Sequence, residues 1–90
     1  ALDPELLERA RIAPFEQVDV YNVDNGERLT TYAIAGEPGE VCLNGAAALK
    51  GEPGQRVIIA AYAWLEEAEL ATHSPAIVIM GPGNIPVKNQ

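Results

Sequence analysis

Phe15-Glu16-Gln17-Val18-Asp19-Val20-Tyr21-Asn22-Val23, then Asn25-Gly26, then Arg28-Leu29-Thr30-Thr31-Tyr32-Ala33-Ile34-Ala35 is the stretch that decides the fold class. The first run alternates apolar and polar residues at period two and is rich in β-formers, which makes it a half-buried strand. Asn25-Gly26 is a strong hairpin signal, because a two-residue type I′ turn needs positive φ at both central positions. The second run is then the returning antiparallel strand, expected over 28–35.

Working outward, Asp3-Pro4-Glu5 reads as a helix start, with Asp3 as the cap, Pro4 at the first helical position and Glu5 against the helix dipole. Pro14 pushes the residue before it out of the α region, so the helix is short, near residues 4–11. Downstream, Val41-Cys42-Leu43 is expected as a short strand, and Asn44 to Leu49 as a tight bend beginning one helical turn. Arg56 to Leu65 is nearly unbroken apolar sequence, which predicts a core strand buried on both faces. Glu66 to Leu70 is an acidic connection, Ala76 to Met80 a further strand, and Asn84 to Gln90 an edge strand or a frayed end. Short strands with turn signals every eight to twelve residues predict a small, mainly β barrel or sandwich.

The chain has 90 residues, 48% of them hydrophobic, with six Lys plus Arg against thirteen Asp plus Glu and a net charge of −7. This composition fits one domain over 1–90, and oligomerisation is expected because a domain of this size buries only roughly 60 to 65% of its unfolded surface. Scattered basic residues on an acidic chain argue against nucleic acid and anionic membranes as partners. One cysteine, Cys42, provides neither an internal disulfide nor a zinc site, so a reducing, cytoplasmic setting is expected. No apolar run approaches 18 residues and no basic–apolar leader opens the chain. GxSxG, HExxH and a phosphate loop are all absent, and the chain has a single histidine. An enzyme built on this chain therefore needs an unusual reactive group, and the opening at Ala1 without Met leads us to expect a longer product.

Two features invite a chemical reading. Arg28, Thr30 and Tyr32 share one strand face, where a guanidinium, a hydroxyl and a phenol can grip a small carboxylate. The alternative is an ordinary polar hairpin face. Asn44-Gly45-Ala46-Ala47-Ala48 would let a ligand approach the backbone closely, or is simply a tight corner. His73 is expected at the surface, Cys42 as a small buried hydrophobe, Glu66, Glu67 and Glu69 as solvated, and Tyr62 and Trp64 as one strand face that lines a pocket or, the plainer reading, is engaged in core or interface packing.

The order of these segments, NG-x-R-x-x-TYAI joined to NGAAA at this separation, strongly resembles the bacterial aspartate 1-decarboxylase family, over about residues 1 to 65. The resemblance implies a double-psi β-barrel, assembled as a tetramer with sites between neighbouring subunits. It also implies decarboxylation of L-aspartate to β-alanine and carbon dioxide, feeding pantothenate and coenzyme A synthesis. The chemistry would run through a Schiff base to a pyruvoyl group, without metal or pyridoxal phosphate. That group would arise when a precursor cleaves itself at a Gly-Ser bond, leaving a short β chain and an α chain that this sequence resembles. The pyruvoyl would stand two positions before Ala1 if Asp3 is the family's Asp, or immediately before it if a short deletion intervenes.

Residue by residue, the resemblance makes Tyr32 the proton donor and Arg28 the substrate-carboxylate ligand. Thr31 would contact substrate and assist cleavage, Asn44 would help self-processing, and Gly45, Ala46 and Ala47 would cradle the substrate. Tyr21 stands where many members have a pocket aromatic. Leu49 replaces a frequent His, and a Lys and a Tyr of the family site would lie on the β chain, so this chain alone is expected to be inactive. A non-catalytic β-barrel interaction module, or a related pyruvoyl decarboxylase with another amino acid preference, remains the alternative.

Overall fold

The computed structural model describes residues 1–89. It is mainly β, with two sheets and short helices. Helix α1, Pro4–Ala10, starts as expected: Asp3 accepts from the Glu5 N–H at 2.8 Å, and Pro4 occupies the first turn. It stops when Arg11 turns left-handed at φ 58°. The Gly39 N–H and then the Glu5 N–H hold the Asp3 carboxyl below its ordinary range, because both donors favour the charged form.

Strands β1, Gln17–Asn22, and β2, Arg28–Tyr32, pair antiparallel with Tyr21 opposite Arg28 and Asp19 opposite Thr30. Period-two alternation sends Val18, Val20 and Asn22 inward, where Val18 and Val20 join Leu7, Ile12 and Ala33 in the core. Strand β2 is shorter than its apolar pattern suggested, but Ala33 continues the pairing through a bond to the Glu16 carbonyl.

The turn between these strands is not the expected two-residue type. Asn22 N–H donates to the Glu27 carbonyl, which leaves residues 23–26 as a four-residue loop in which Gly26, at φ 77°, is the left-handed member. The loop is set by Asn22, whose Oδ1 accepts from the N–H groups of Asp24 and Asn25. Its amide nitrogen donates to the Lys50 carbonyl at 3.2 Å and to Gln55 Oε1 at 2.9 Å.

The apolar run from 56 also departs from expectation. Only Val57–Ala60 forms a strand, β3, and it lies at the sheet edge, with β1 in the middle of the order β2-β1-β3. Residues 61–66 have no regular structure, and Ile58, Tyr62 and Trp64 are exposed, Trp64 completely. Tyr62 and Trp64 therefore do not share a strand face. An unbroken apolar run records the residues' aversion to water without saying which surface they meet. Val41–Leu43 contributes one isolated bridge, Val41 to Leu2, in place of a strand.

The segment after Asn44 is a 3-10 helix, Gly45–Lys50. A short helix, α2, Glu67–Leu70, closes with a capping box between Glu66 and Glu69. Strands β4, Val78–Gly81, and β5, Ile85–Asn89, form the second sheet, as expected apart from Gln90, which lies outside the described residues. The two sheets do not close into a barrel. Among the described residues, no helix is long and apolar enough to cross a membrane.

Burial makes Asn22 costly to change, because truncation takes the acceptor from the Asp24 and Asn25 N–H groups and one donor each from the Lys50 carbonyl and Gln55 Oε1. Asn22→Ala in the full-length protein is expected to lower unfolding free energy by about 1–3 kcal/mol in a denaturant titration, while Asn25→Ala in the exposed loop costs under about 1 kcal/mol.

Candidate active site

The backbone nitrogen of Ala1 is held at 2.7 Å from the Cys42 carbonyl and 3.0 Å from Asn44 Oδ1. Leu2 extends this seam by donating to the Ile34 carbonyl and accepting from Gly36 N–H. The start of the chain is thus fastened between β2 and the 3-10 helix, and it opens on a cavity of about 480 Å³. Thr31, Tyr32 and Asn44 to Ala47 line this cavity with Ala1. Gly45 holds φ 59°, and a Cβ placed on it would meet nothing within 4 Å, so the backbone of this wall is open to a ligand.

Strand parity places Thr31 opposite Tyr32, yet both reach the cavity because β2 is an edge strand and the cavity wraps around it. Tyr32 is half exposed and its ring tilts against Phe15, 6.4 Å between centroids. Phe15 has a left-handed backbone at φ 70°, unusual for a bulky residue, with its N–H bonded to the Ala33 carbonyl. Nothing in the sequence pattern marks this conformation. Cys42 is exposed on the same wall, which corrects its expected burial: its segment forms a single bridge, not a covered strand.

A second cavity, about 420 Å³, lies over the outer face of the hairpin and holds Arg28, Tyr21, Asp19 and Thr30. The two cavities share Leu29 and Thr30. Arg28 and Tyr32, expected as partners on one face, therefore belong to adjoining cavities separated by about 13 Å of strand. The Arg28 guanidinium lies 4.6 Å from the centroid of the Tyr21 ring. Among the described residues, Arg9, Lys50 and Arg56 are paired to Glu5, Glu27 and Asp24, whereas Arg28 makes no ion pair. The Asp24 carboxyl is held low by its bonds from Arg56.

Residues 1–87 match the family model described as aspartate decarboxylase. The chain is 56% identical over 87 residues to aspartate 1-decarboxylase of Azotobacter vinelandii, an alignment covering 94% of this chain and 69% of that protein. It is 54% identical over 86 residues to the Pseudomonas aeruginosa enzyme of that name, covering 93% and 68%. With the Methylibium petroleiphilum protein of the same name it shares 51% over 85 residues, covering 92% and 71%. The chain belongs to the aspartate decarboxylase family.

Within this decarboxylase chain, the structure gathers Thr31, Tyr32, Asn44, Gly45, Ala46 and Ala47 around the Ala1 nitrogen and keeps Arg28 and Tyr21 next door. Sequence reasoning missed Asp19, and it offered Tyr62 only as a pocket-lining or packing residue beside Trp64. Asp19 Oδ1 accepts from the Thr30 hydroxyl at 2.6 Å and its Oδ2 from the Tyr21 hydroxyl at 3.4 Å, while the hydroxyls of Tyr21 and Tyr62 share a short hydrogen bond. The Asp19–Thr30 contact was legible once the register was known, but Tyr62 is 41 positions from Tyr21 and no local pattern joins the two.

The hydrogen bond with Tyr21 pushes the Tyr62 phenol up from 10.0 to about 12, with its own desolvation and the negative charge of Asp19 adding to the shift. A folded value above the unfolded one means this contact stabilises fully below pH 10 and is lost as pH rises through about 12. Spectrophotometric titration should show a late tyrosinate component near pH 12 that disappears in Tyr62→Phe.

Proposed function

We propose that this chain is the α chain of a self-processing enzyme that decarboxylates L-aspartate to β-alanine and carbon dioxide for pantothenate synthesis. The observation that carries the reading is the fastening of Ala1 to Cys42 and Asn44 at the rim of the cavity containing Tyr32. A residue one or two positions before Ala1 would lie within about 7 Å of it along the chain, within reach of this cavity. The fit is supported by the open backbone at Gly45 and the small side chains of Ala46 and Ala47. Asn44 and Thr31 would flank a serine-derived pyruvoyl group there, which would supply an electrophilic carbonyl and an electron sink for the decarboxylation.

The remaining roles belong to side chains present in this chain. Arg28, without a carboxylate partner among the described residues, offers paired N–H donors to one substrate carboxylate. Fixing that end restricts rotation of the carboxylate to be lost, so its bond can lie across the conjugated plane. Tyr32 presents a phenol that returns a proton to the carbon left behind. The N–H groups of Gly45, Ala46 and Ala47 and the Thr31 hydroxyl position the substrate between the two ends. Tyr21 forms the apolar floor under Arg28, and Asn44 also helps processing through its contact with Ala1.

In this reading, 1–90 is one domain of a double-psi β-barrel completed by a short β chain from the same precursor. The assembly is a cytoplasmic tetramer with sites between neighbouring subunits, working without metal or pyridoxal phosphate.

Intact-mass analysis of the full-length product, before and after aspartate and borohydride, tests the reading directly. A short companion chain, and a longer chain that gains a trapped amine adduct, is the expected result; an uncleaved chain with no adduct would overturn it. Tyr32→Phe is expected to cleave and assemble normally while turnover falls by about 10²- to 10⁴-fold. Normal turnover in that variant would remove Tyr32 from the proton-transfer step.

A further inference from the structure

The outer face of the hairpin carries a second layer beneath Arg28. Tyr21 stands directly opposite Arg28 in the register, and Asp19 directly opposite Thr30. Tyr21 has one hydroxyl proton, and its contact with Asp19 uses it. On its other side the Tyr21 hydroxyl is hydrogen-bonded to the Tyr62 hydroxyl. Asp19 is satisfied from both sides, by the Thr30 hydroxyl and the Tyr21 hydroxyl. Although it lines the same cavity as Arg28, it makes no ion pair with it.

We propose that Asp19 and Tyr62 are positioning residues for substrate binding: by holding the Tyr21 hydroxyl between them, they fix the ring on which the Arg28 guanidinium rests and keep the Asp19 carboxylate from competing for it. The proposal rests on the reading of Arg28 as the carboxylate ligand. Its physical content is twofold. A ring pinned at its hydroxyl presents a fixed face, and a guanidinium lying over that face keeps its N–H edge turned outward for bidentate capture. A carboxylate already accepting two hydroxyl bonds has less to gain from the neighbouring cation, so Arg28 remains available to an incoming anion. Both effects act on the affinity for the carboxylate and leave the bond-breaking step alone.

The test is steady-state kinetics on the processed full-length enzyme. Tyr62→Phe removes one exposed hydroxyl and is expected to raise the KM for aspartate about two- to fivefold at unchanged kcat, the range of an exposed cation–π contact. Tyr21→Phe, which keeps the ring and deletes the shared hydroxyl, is expected to reproduce the rise in KM. Arg28→Lys keeps the charge but loses the planar fork, and is expected to raise KM at least as far, with no further rise on adding Tyr62→Phe. If Arg28→Lys raises KM while Tyr62→Phe and Tyr21→Phe do not, or if they lower kcat instead, the positioning role is overturned and the Arg28 reading stands. If none of the three alters KM, the Arg28 reading fails and the proposal with it. Should Tyr62→Phe fail to process, Tyr21→Phe alone decides the matter.

Discussion

The buried amide of Asn22 is the constraint on which the arrangement of this chain turns. It sits at the inner end of β1, 3% exposed, and satisfies the hairpin loop, the end of the 3-10 helix and the side chain of Gln55 together. Gln55 in turn accepts from the Glu52 N–H across the following turn. One side chain thus fixes where β1 stops, where the Gly45–Lys50 segment ends, and where the chain re-enters the sheet as β3 opposite Asn22 itself. An apolar residue here would pack well enough but leave the Asp24 and Asn25 N–H groups without their acceptor and loosen the ties to Lys50 and Gln55, at a cost that is a sizeable share of a small domain's stability.

This constraint is transmitted to the site because the 3-10 helix is tethered at both ends. Its far end is bonded to Asn22 through Lys50, and its near end reaches Ala1 through Asn44. Between them the small residues 45–47 face β2 across the cavity that contains Tyr32. The position of the cavity wall relative to β2 thus follows from polar contacts, which are directional, more than from apolar packing, which is not. The Lys50–Glu27 ion pair adds a further link between helix and hairpin, half exposed at both partners and correspondingly weak.

Period-two alternation at 17–22 and 28–32 was enough to place the hairpin and its inward face, since burial of Val18 and Val20 leaves only one register for the outward residues. The turn was misread because Asn25-Gly26 scores as a two-residue loop on its own, and the side chain that enforces a longer loop, Asn22, sits in the strand pattern as a polar residue. The run from 56 to 65 was misread for a different reason: apolar content measures avoidance of water, and sheet order, which put β1 and not β3 in the middle, depends on pairings far apart in sequence. At the site, the neighbourhood of Arg28, Thr30 and Tyr32 on one face was legible from parity. Their division between two adjoining cavities was not, because it depends on Tyr21 and on a 3-10 helix whose distance from β2 no local pattern encodes.

The charge balance of the chain bears on how it handles an acidic substrate. A net charge of −7 repels a dicarboxylate at long range, yet at physiological ionic strength that repulsion fades beyond about 8 Å, so the outcome is decided by the groups at contact distance. There the acidic excess serves a purpose of its own. Glu5, Glu27 and Asp24 neutralise Arg9, Lys50 and Arg56, three of the six basic residues, while the carboxylate nearest Arg28 is occupied by hydroxyls. On the proposed role of Arg28, selectivity for an anion at one point on an acidic surface would follow from three of the other cations being paired and this one lying on an aromatic ring, a support that holds the guanidinium plane without consuming its hydrogen-bond donors.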